Sequence, residues 1–244
     1  MFYHYRTIGF LFKKEPKSES DEIFTLYTKD FGRLEVLAKG IKKIKSKLRG
    51  NIDLFYLSEI EFIQGKTYKT LTDTLLIEKF GNIRKSLLRL KLIFAISDLL
   101  DKLLIEQEKD RRVWNLLMEN LSEIDNKEIR FSVIRLCYYY FFWKLISILG
   151  YKPELYTCSL CKKRVKPDKI YFSLKEGGLV CKNCFPKIEE AEKIRPETVK
   201  ILRILIEKDI SILKKIKTED KYFKELELVT KNFLSFLFGQ KEKI

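Results

Sequence analysis

Histidine is nearly absent from this 244-residue chain, which has one, His4. That excludes two-histidine metal sites and leaves no base for a serine or cysteine nucleophile except this one residue. His4 is expected on the surface or at the end of a strand. Methionine and tryptophan occur twice each, proline five times and glycine ten times. Such scarcity excludes collagen-like and low-complexity chains. A clean membrane span is also lacking. The nearest stretch, Phe131 to Leu149, is interrupted by Arg135 and Lys144 and carries Tyr138-Tyr139-Tyr140. A charge near the centre of a span costs roughly 2.5–3.5 kcal/mol on insertion scales, so a helix buried in a helical domain is expected there. Met1 to Phe12 carries Arg6 and no long apolar run before a small-residue cleavage site, so no secretory signal is expected. The expectation is a soluble, cytoplasmic protein with no membrane partner.

What the chain has in excess is positive charge. Lysine and arginine number 49 against 34 acidic residues, a formal charge of +15, while 45% of residues are hydrophobic. The apolar content is ample for a core. The surplus suggests a polyanionic partner. It is concentrated at Lys39, Lys42, Lys43, Lys45, Lys47 and Arg49, a segment with no acidic residue. Residues 1–80 hold 15 basic and 11 acidic side chains, so without these six the region would be slightly acidic. A charge run is commonly just a solvated face. In so basic a chain, a surface that tracks phosphates is the better reading. No base-reading helix is evident, so backbone binding with little sequence preference is expected.

Four of the five cysteines form two Cys-x2-Cys pairs, Cys158 with Cys161 and Cys181 with Cys184, separated by 19 residues. Two turns of this kind can aim four sulfurs at one point, the tetrahedral shell that Zn2+ accepts. The alternative is two disulfides or four unrelated buried thiols, which the lone fifth cysteine and the intracellular character expected of the chain fit poorly. Four thiolates leave no open position for water or substrate, so the zinc is expected to be structural. Between the pairs, Ile170-Tyr171-Phe172 and Leu179-Val180 are expected to form a hairpin turning near Gly177. Such a knuckle has almost no core, and metal binding would supply much of its folding free energy.

The fold class expected is α+β. Strands are expected over Thr7–Lys13, Ile23–Thr28, Arg33–Lys39, Leu54–Ile63 and Lys66–Ile77, with hairpin turns at Lys29–Gly32 and Gln64-Gly65. Five short antiparallel strands match a small OB-type barrel, and an SH3-like barrel fits almost as well. From Asn82 the period becomes helical: Leu87, Leu90, Phe94, Ser97 and Leu100, then Val113, Leu116, Leu117 and Leu121. Gly150 and Pro153 stop the run over Phe131–Leu149, and Pro196 opens a helix carrying Val199, Leu202, Leu205 and Ile206. A last helix carries Tyr222, Leu226, Val229, Phe233 and Leu237, ahead of a lysine-rich end. The expected division is a barrel over 1–80, a helical domain over 81–150 and 189–244, and a ribbon over 151–188.

Other features are set aside. Gly65-Lys66-Thr67 resembles the end of a phosphate-binding loop, but Ile60 stands where its earlier glycine belongs. Cys137 sits among aromatics and is expected to be inert core. Asp21-Glu22 and Glu189-Glu190 are expected to be solvated. The aromatic group Tyr138 to Trp143 reads mostly as core.

Taken together, the strand-rich start, Ala38-Lys39-Gly40-Ile41-Lys42-Lys43 and Ser46 to Gly50 resemble the N-terminal domain of the bacterial RecO family of recombination mediators. Leu149-Gly150-Tyr151-Lys152-Pro153-Glu154-Leu155 leading into Cys158, then Phe172-Ser173, Gly177-Gly178 and Cys181-x2-Cys184, resemble its helical domain and inserted ribbon. The likeness spans nearly the whole chain in order. It implies an N-terminal OB-fold β-barrel followed by an α-helical domain with an inserted four-cysteine zinc ribbon. It also implies binding of single- and double-stranded DNA, annealing of complementary strands, and help in loading recombinase onto DNA coated by single-strand-binding protein. RecR and the C-terminal tail of single-strand-binding protein are the implied partners, and association with the nucleoid follows. The chain departs from the family at Lys162, where a glycine would follow Cys161.

The function expected is therefore a DNA-binding mediator without covalent chemistry. The six loop cations, together with Arg33, would neutralise phosphates, and Lys162, Lys163 and Arg164 would extend the track. A zinc-dependent hydrolase would need an open metal position or a nucleophile–base pair, and neither is present. A zinc-ribbon transcription factor would bind one duplex sequence far more tightly than random DNA, and a protein-bridging module would show no DNA affinity.

Overall fold

A computed structural model describes residues 3–216 and 219–239. The lysine-rich end over 240–244 lies outside the described residues. The chain forms two compact units that divide between Ile129 and Arg130.

The first unit is built on five strands, β1 (His4–Pro16), β2 (Glu22–Thr28), β3 (Gly32–Ala38), β4 (Leu57–Gln64) and β5 (Lys69–Glu78). They close into a barrel in the order β1-β2-β3-β5-β4. All pairs are antiparallel except β3 with β5, where Val36 lies opposite Lys69. Alternation puts one set of side chains inside. Phe24 faces Val36 and Leu26 faces Leu34 across β2 and β3, and all four join Leu11, Ala38, Ile60, Phe62 and Leu71 in the barrel core. Leu37, which breaks the polar face of β3 in the sequence, is only 8% exposed.

Helices α1 (Gly81–Arg84), α2 (Leu87–Leu103) and α3 (Arg111–Asp125) belong to this unit with the barrel, so the compact unit extends well beyond residue 80. Asp125 accepts from the amides of Asn82 and Ile83 at 2.8 and 2.9 Å and so satisfies the start of α1. Asp110 caps α3 by accepting from the Arg112 amide. In α3 the buried residues are those the spacing predicts, including Val113, Leu116, Leu117 and Leu121. In α2 the helix forms where expected but its buried stripe is shifted. Arg89, Ile93, Ile96, Ser97, Leu99 and Leu100 point inward, while Leu87 and Phe94 are exposed. The segment is apolar on more than one side, so several stripes satisfied the same period.

The second unit centres on α4 (Phe131–Ile148), whose residues from Tyr139 to Trp143 are all buried, as is Cys137. Around it lie α5 (Pro196–Glu207), a 3-10 turn (Ile210–Lys215) and α6 (Asp220–Leu237). The Trp143 indole donates to Thr230 Oγ1 at 3.0 Å, and both Phe142 and Trp143 meet Phe233 edge-on. The two charges that break the apolar run sit over rings, Arg135 on Phe223 at 3.8 Å and Lys144 on Tyr140 at 5.6 Å. Among the described residues no helix is long and apolar enough to cross a membrane. A three-stranded sheet, ordered β7-β6-β8, is inserted ahead of α5: β6 (Ile170–Ser173), β7 (Gly178–Cys181) and β8 (Glu192–Ile194). The β6–β7 hairpin is the expected one, whereas β8, three residues long, gave no pattern to read.

Candidate functional site

The basic segment forms a series of turns between β3 and β4. Its apolar residues hold it down: Ile41 and Ile52 are buried in the barrel core, and Leu48 packs against that core. Its main chain is fastened to the turn between β1 and β2. The Gly40 amide donates to Asp21 Oδ1 at 2.7 Å and the Lys42 amide to the Ser20 carbonyl at 3.1 Å. Gly40 has φ +62°, which a glycine adopts without strain. The amide of Gly40, then the Ser20 hydroxyl, hold the Asp21 carboxyl below its ordinary range. Asp21 is therefore structural where the sequence suggested a solvated acid. Its place among Ser18, Ser20 and Gly40 was the signal that could have shown it.

The anchors turn inward and the cations turn out. Lys39, Lys42, Lys43, Lys45, Lys47 and Arg49 are all exposed. Among the described residues none of the six forms an ion pair. Ile44, between them, is 94% exposed. Arg33 differs from these six. Its guanidinium pairs with Asp101 at 2.8 Å and Glu35 at 3.0 Å, and its side chain is only 15% exposed. The structure thus gives Arg33 two carboxylate partners within its own unit, in place of a free surface for phosphate. Lys162, Lys163 and Arg164 are exposed on the second unit. His4 opens β1 and meets Glu61 at 2.6 Å, with no second histidine.

The four cysteines Cys158, Cys161, Cys181 and Cys184 come together, with their sulfurs within 4.8 Å of one another. Cys161 and Cys181 are 3.9 Å apart. A disulfide would require about 2.05 Å. Four thiolates bound at about 2.3 Å around one tetrahedral ion would stand roughly 3.8 Å apart, so the donor set fits a soft cation such as Zn2+. Each knuckle is shaped by its main chain. The amide of Lys162 bonds back to the Cys158 carbonyl at 2.9 Å, and that of Cys184 to the Cys181 carbonyl at 3.0 Å. The Cys181 amide also donates to the Cys158 sulfur at 3.5 Å. Burial pushes the Cys158 thiol up, but amides from Cys161, Cys181 and Leu160 outweigh it and bring it down to about 6. Cys184 is pushed up to about 12, by burial and then by the neighbouring sulfurs. Four sulfurs this close cannot all ionise alone, and a bound cation removes that conflict. Around the cluster pack Val165, Tyr171, Val180 and Ile188, and Phe185 stacks on Tyr171 at 3.7 Å.

Two family models cover the chain. The one described as Recombination protein O N terminal matches residues 1–80, and the one described as Recombination protein O C terminal matches residues 84–243. A protein named DNA repair protein RecO in Dehalococcoides mccartyi strain 195 is 32% identical over 239 residues, 98% of this chain and 92% of the relative. Proteins of the same name are similar in Thermoanaerobacter sp. strain X514 (32% identical, 87% of this chain, 84% of the relative) and in Caldanaerobacter subterraneus subsp. tengcongensis (30%, 86% and 83%).

Proposed function

Since the chain belongs to the RecO family of DNA repair proteins, we propose that it serves DNA repair as a recombination mediator that binds DNA through its barrel. The observation that carries this reading is the basic loop: six exposed cations without ion-pair partners among the described residues, held in place by apolar anchors and main-chain hydrogen bonds. Charges arranged this way neutralise phosphates and release counterions, which lowers the repulsion between two strands brought together for pairing. The closed barrel with strand order β1-β2-β3-β5-β4 is read as an OB type, the small barrel that recurs in single-strand binding.

On this reading the protein anneals complementary strands and helps load recombinase onto DNA coated by single-strand-binding protein. RecR and the tail of that coating protein are its partners, and both single- and double-stranded DNA its ligands. It works without making or breaking covalent bonds. Cys158, Cys161, Cys181 and Cys184 would hold Zn2+, whose role is to fix the ribbon's fold. The protein acts in the cytoplasm, on the nucleoid.

The test is annealing of two complementary fluorescent oligonucleotides by the purified protein, without nucleotide, at two salt concentrations, with and without single-strand-binding protein. Salt-sensitive annealing that persists on coated strands is expected. No annealing and no DNA retention at low salt would leave a protein-interaction module instead.

A further inference from the structure

Phosphate contacts hold and position a strand but make no contact with its bases. We propose that Tyr68, backed by Lys17, is a stacking seat for an unpaired base at the end of the barrel that carries the basic loop. The inference rests on the DNA-binding reading above and adds to it the feature that selects single strands.

Three segments meet at that end: the β1–β2 turn over 17–21, the basic loop, and the β4–β5 turn over 65–68. Lys17 donates from Nζ to the Tyr68 hydroxyl at 2.8 Å, and its ammonium lies 4.9 Å from the ring centroid. One residue along, the Ser18 carbonyl accepts from Lys42 Nζ at 3.4 Å, and the Lys42 amide is held by Ser20. A single short turn therefore joins the ring to the loop cations. Tyr68 itself immediately precedes β5, whose first residue, Lys69, lies opposite Val36, two positions before the end of β3.

Tyr68 is not placed there to fill the core. It is 36% exposed, whereas Phe24, Tyr27 and Phe62 in the same barrel are at most 2% exposed. Nor does it trail loosely. The Gly65 amide donates to the Tyr68 carbonyl at 3.1 Å, and a Cβ on Gly65 would stand 2.4 Å from that oxygen. Only glycine permits so tight a turn, and the turn presents the ring in a set place. The opposite end of the β2–β3 hairpin is covered. There the Tyr27 hydroxyl donates to the Asp110 carbonyl at 3.3 Å, its ring meets Trp114, and Arg33 is bound to Asp101. The open, cationic end is thus also the end with an exposed ring.

Every base offers a π face, so a seat of this kind is indifferent to sequence. Duplex bases are already stacked on their neighbours and cannot use it. A base on Tyr68 would bring its backbone to the Lys17 ammonium, joining stacking to the phosphate track of the loop.

The test compares single-strand and duplex binding by the full chain, using an oligonucleotide carrying 2-aminopurine, whose fluorescence falls when it stacks. Tyr68→Ala and Tyr68→Leu, the latter keeping bulk without a π face, should weaken single-strand binding about 5- to 150-fold and lose the quenching. Duplex affinity should stay within about twofold, well below the effect of one lost stack. Tyr68→Phe should keep most of both signals. A triple variant, K42E/K43E/K45E, runs in parallel. If it loses binding while Tyr68→Ala and Tyr68→Leu lose none, or lose single strand and duplex alike, the stacking seat is overturned and the DNA-binding reading stands. If the triple variant also binds both forms fully, the basic loop is not the DNA site and the seat placed beside it is overturned with it; if the parent chain itself retains neither form at low salt, the DNA-binding reading fails.

Discussion

Arg33 donates to Asp101 Oδ1 at 2.8 Å, and Lys13 holds the other carboxylate oxygen at 3.0 Å. Burial alone would raise the Asp101 carboxyl, but these two hydrogen bonds outweigh it and keep it below its ordinary range. A carboxyl depressed in the folded state adds stability that is present above its unfolded value, about 3.9, and is lost as pH falls through the folded value. Asp101→Asn should therefore lower stability by about 1–3 kcal/mol at neutral pH, because it also takes from Arg33 one of its two carboxylate partners and leaves only Glu35. Urea unfolding at neutral pH and at pH below about 4 checks this, since the gap between variant and parent should shrink in acid.

Salt dependence separates the loop from Arg33. If the six loop cations each meet one phosphate on a single strand, log affinity should fall against log salt with a slope of roughly −4. Replacing Lys42, Lys43 and Lys45 with glutamine should remove about 2 from that slope. Arg33→Gln should destabilise the barrel and leave the slope alone. Flattening by Arg33→Gln would return that residue to the phosphate track.

Loss of one sulfur should release the metal. Cys181→Ser is expected to copurify without zinc and to become open to proteolysis between Lys162 and Val180, because a cation bound by the four thiolates would supply much of the ribbon's folding free energy. Metal analysis and limited digestion read this directly. A serine variant that keeps one zinc per chain and resists digestion would contradict the four-thiolate assignment.

Lys162 follows Cys161 with φ +58°, in the left-handed region that a side chain enters at a cost of roughly 1–2 kcal/mol. Glycine there removes the strain but loosens the unfolded chain by about 0.4–1 kcal/mol. Lys162→Gly should thus tighten zinc binding modestly, by less than about tenfold. Competition with a chromophoric chelator measures it, and weaker binding by the glycine variant would show that the lysine makes a contact worth more than its strain.

What could be read in advance follows from the range of the interactions. Local periodicity gave all five barrel strands to within a few residues, because alternation is written into each strand on its own, as in Leu34, Val36 and Ala38. The cysteine spacing was sufficient to bring four sulfurs together. Arg33 reads as a free cation from the sequence because its 2.8 Å partner, Asp101, stands 68 residues away on another element, although Glu35, two residues along the same strand, lay within reach of a local pattern. At Leu87 and Phe94 the buried face of α2 departs from the sequence pattern because an apolar helix offers more than one stripe. Strand β8 is too short to show alternation. Asp21 looked like an ordinary surface acid because the amide it accepts from, Gly40, comes 19 residues later.

The loop fastened at Asp21 combines a fixed root with cations that, among the described residues, are bound to no carboxylate. A row of lysines gripping a uniform polyanion has no preferred register along it, since each phosphate resembles the next. A strand held this way can slip by a nucleotide without a net loss of contacts. Two strands that must find their matching positions need that freedom: a grip that resists separation and tolerates sliding turns a three-dimensional search into a one-dimensional one.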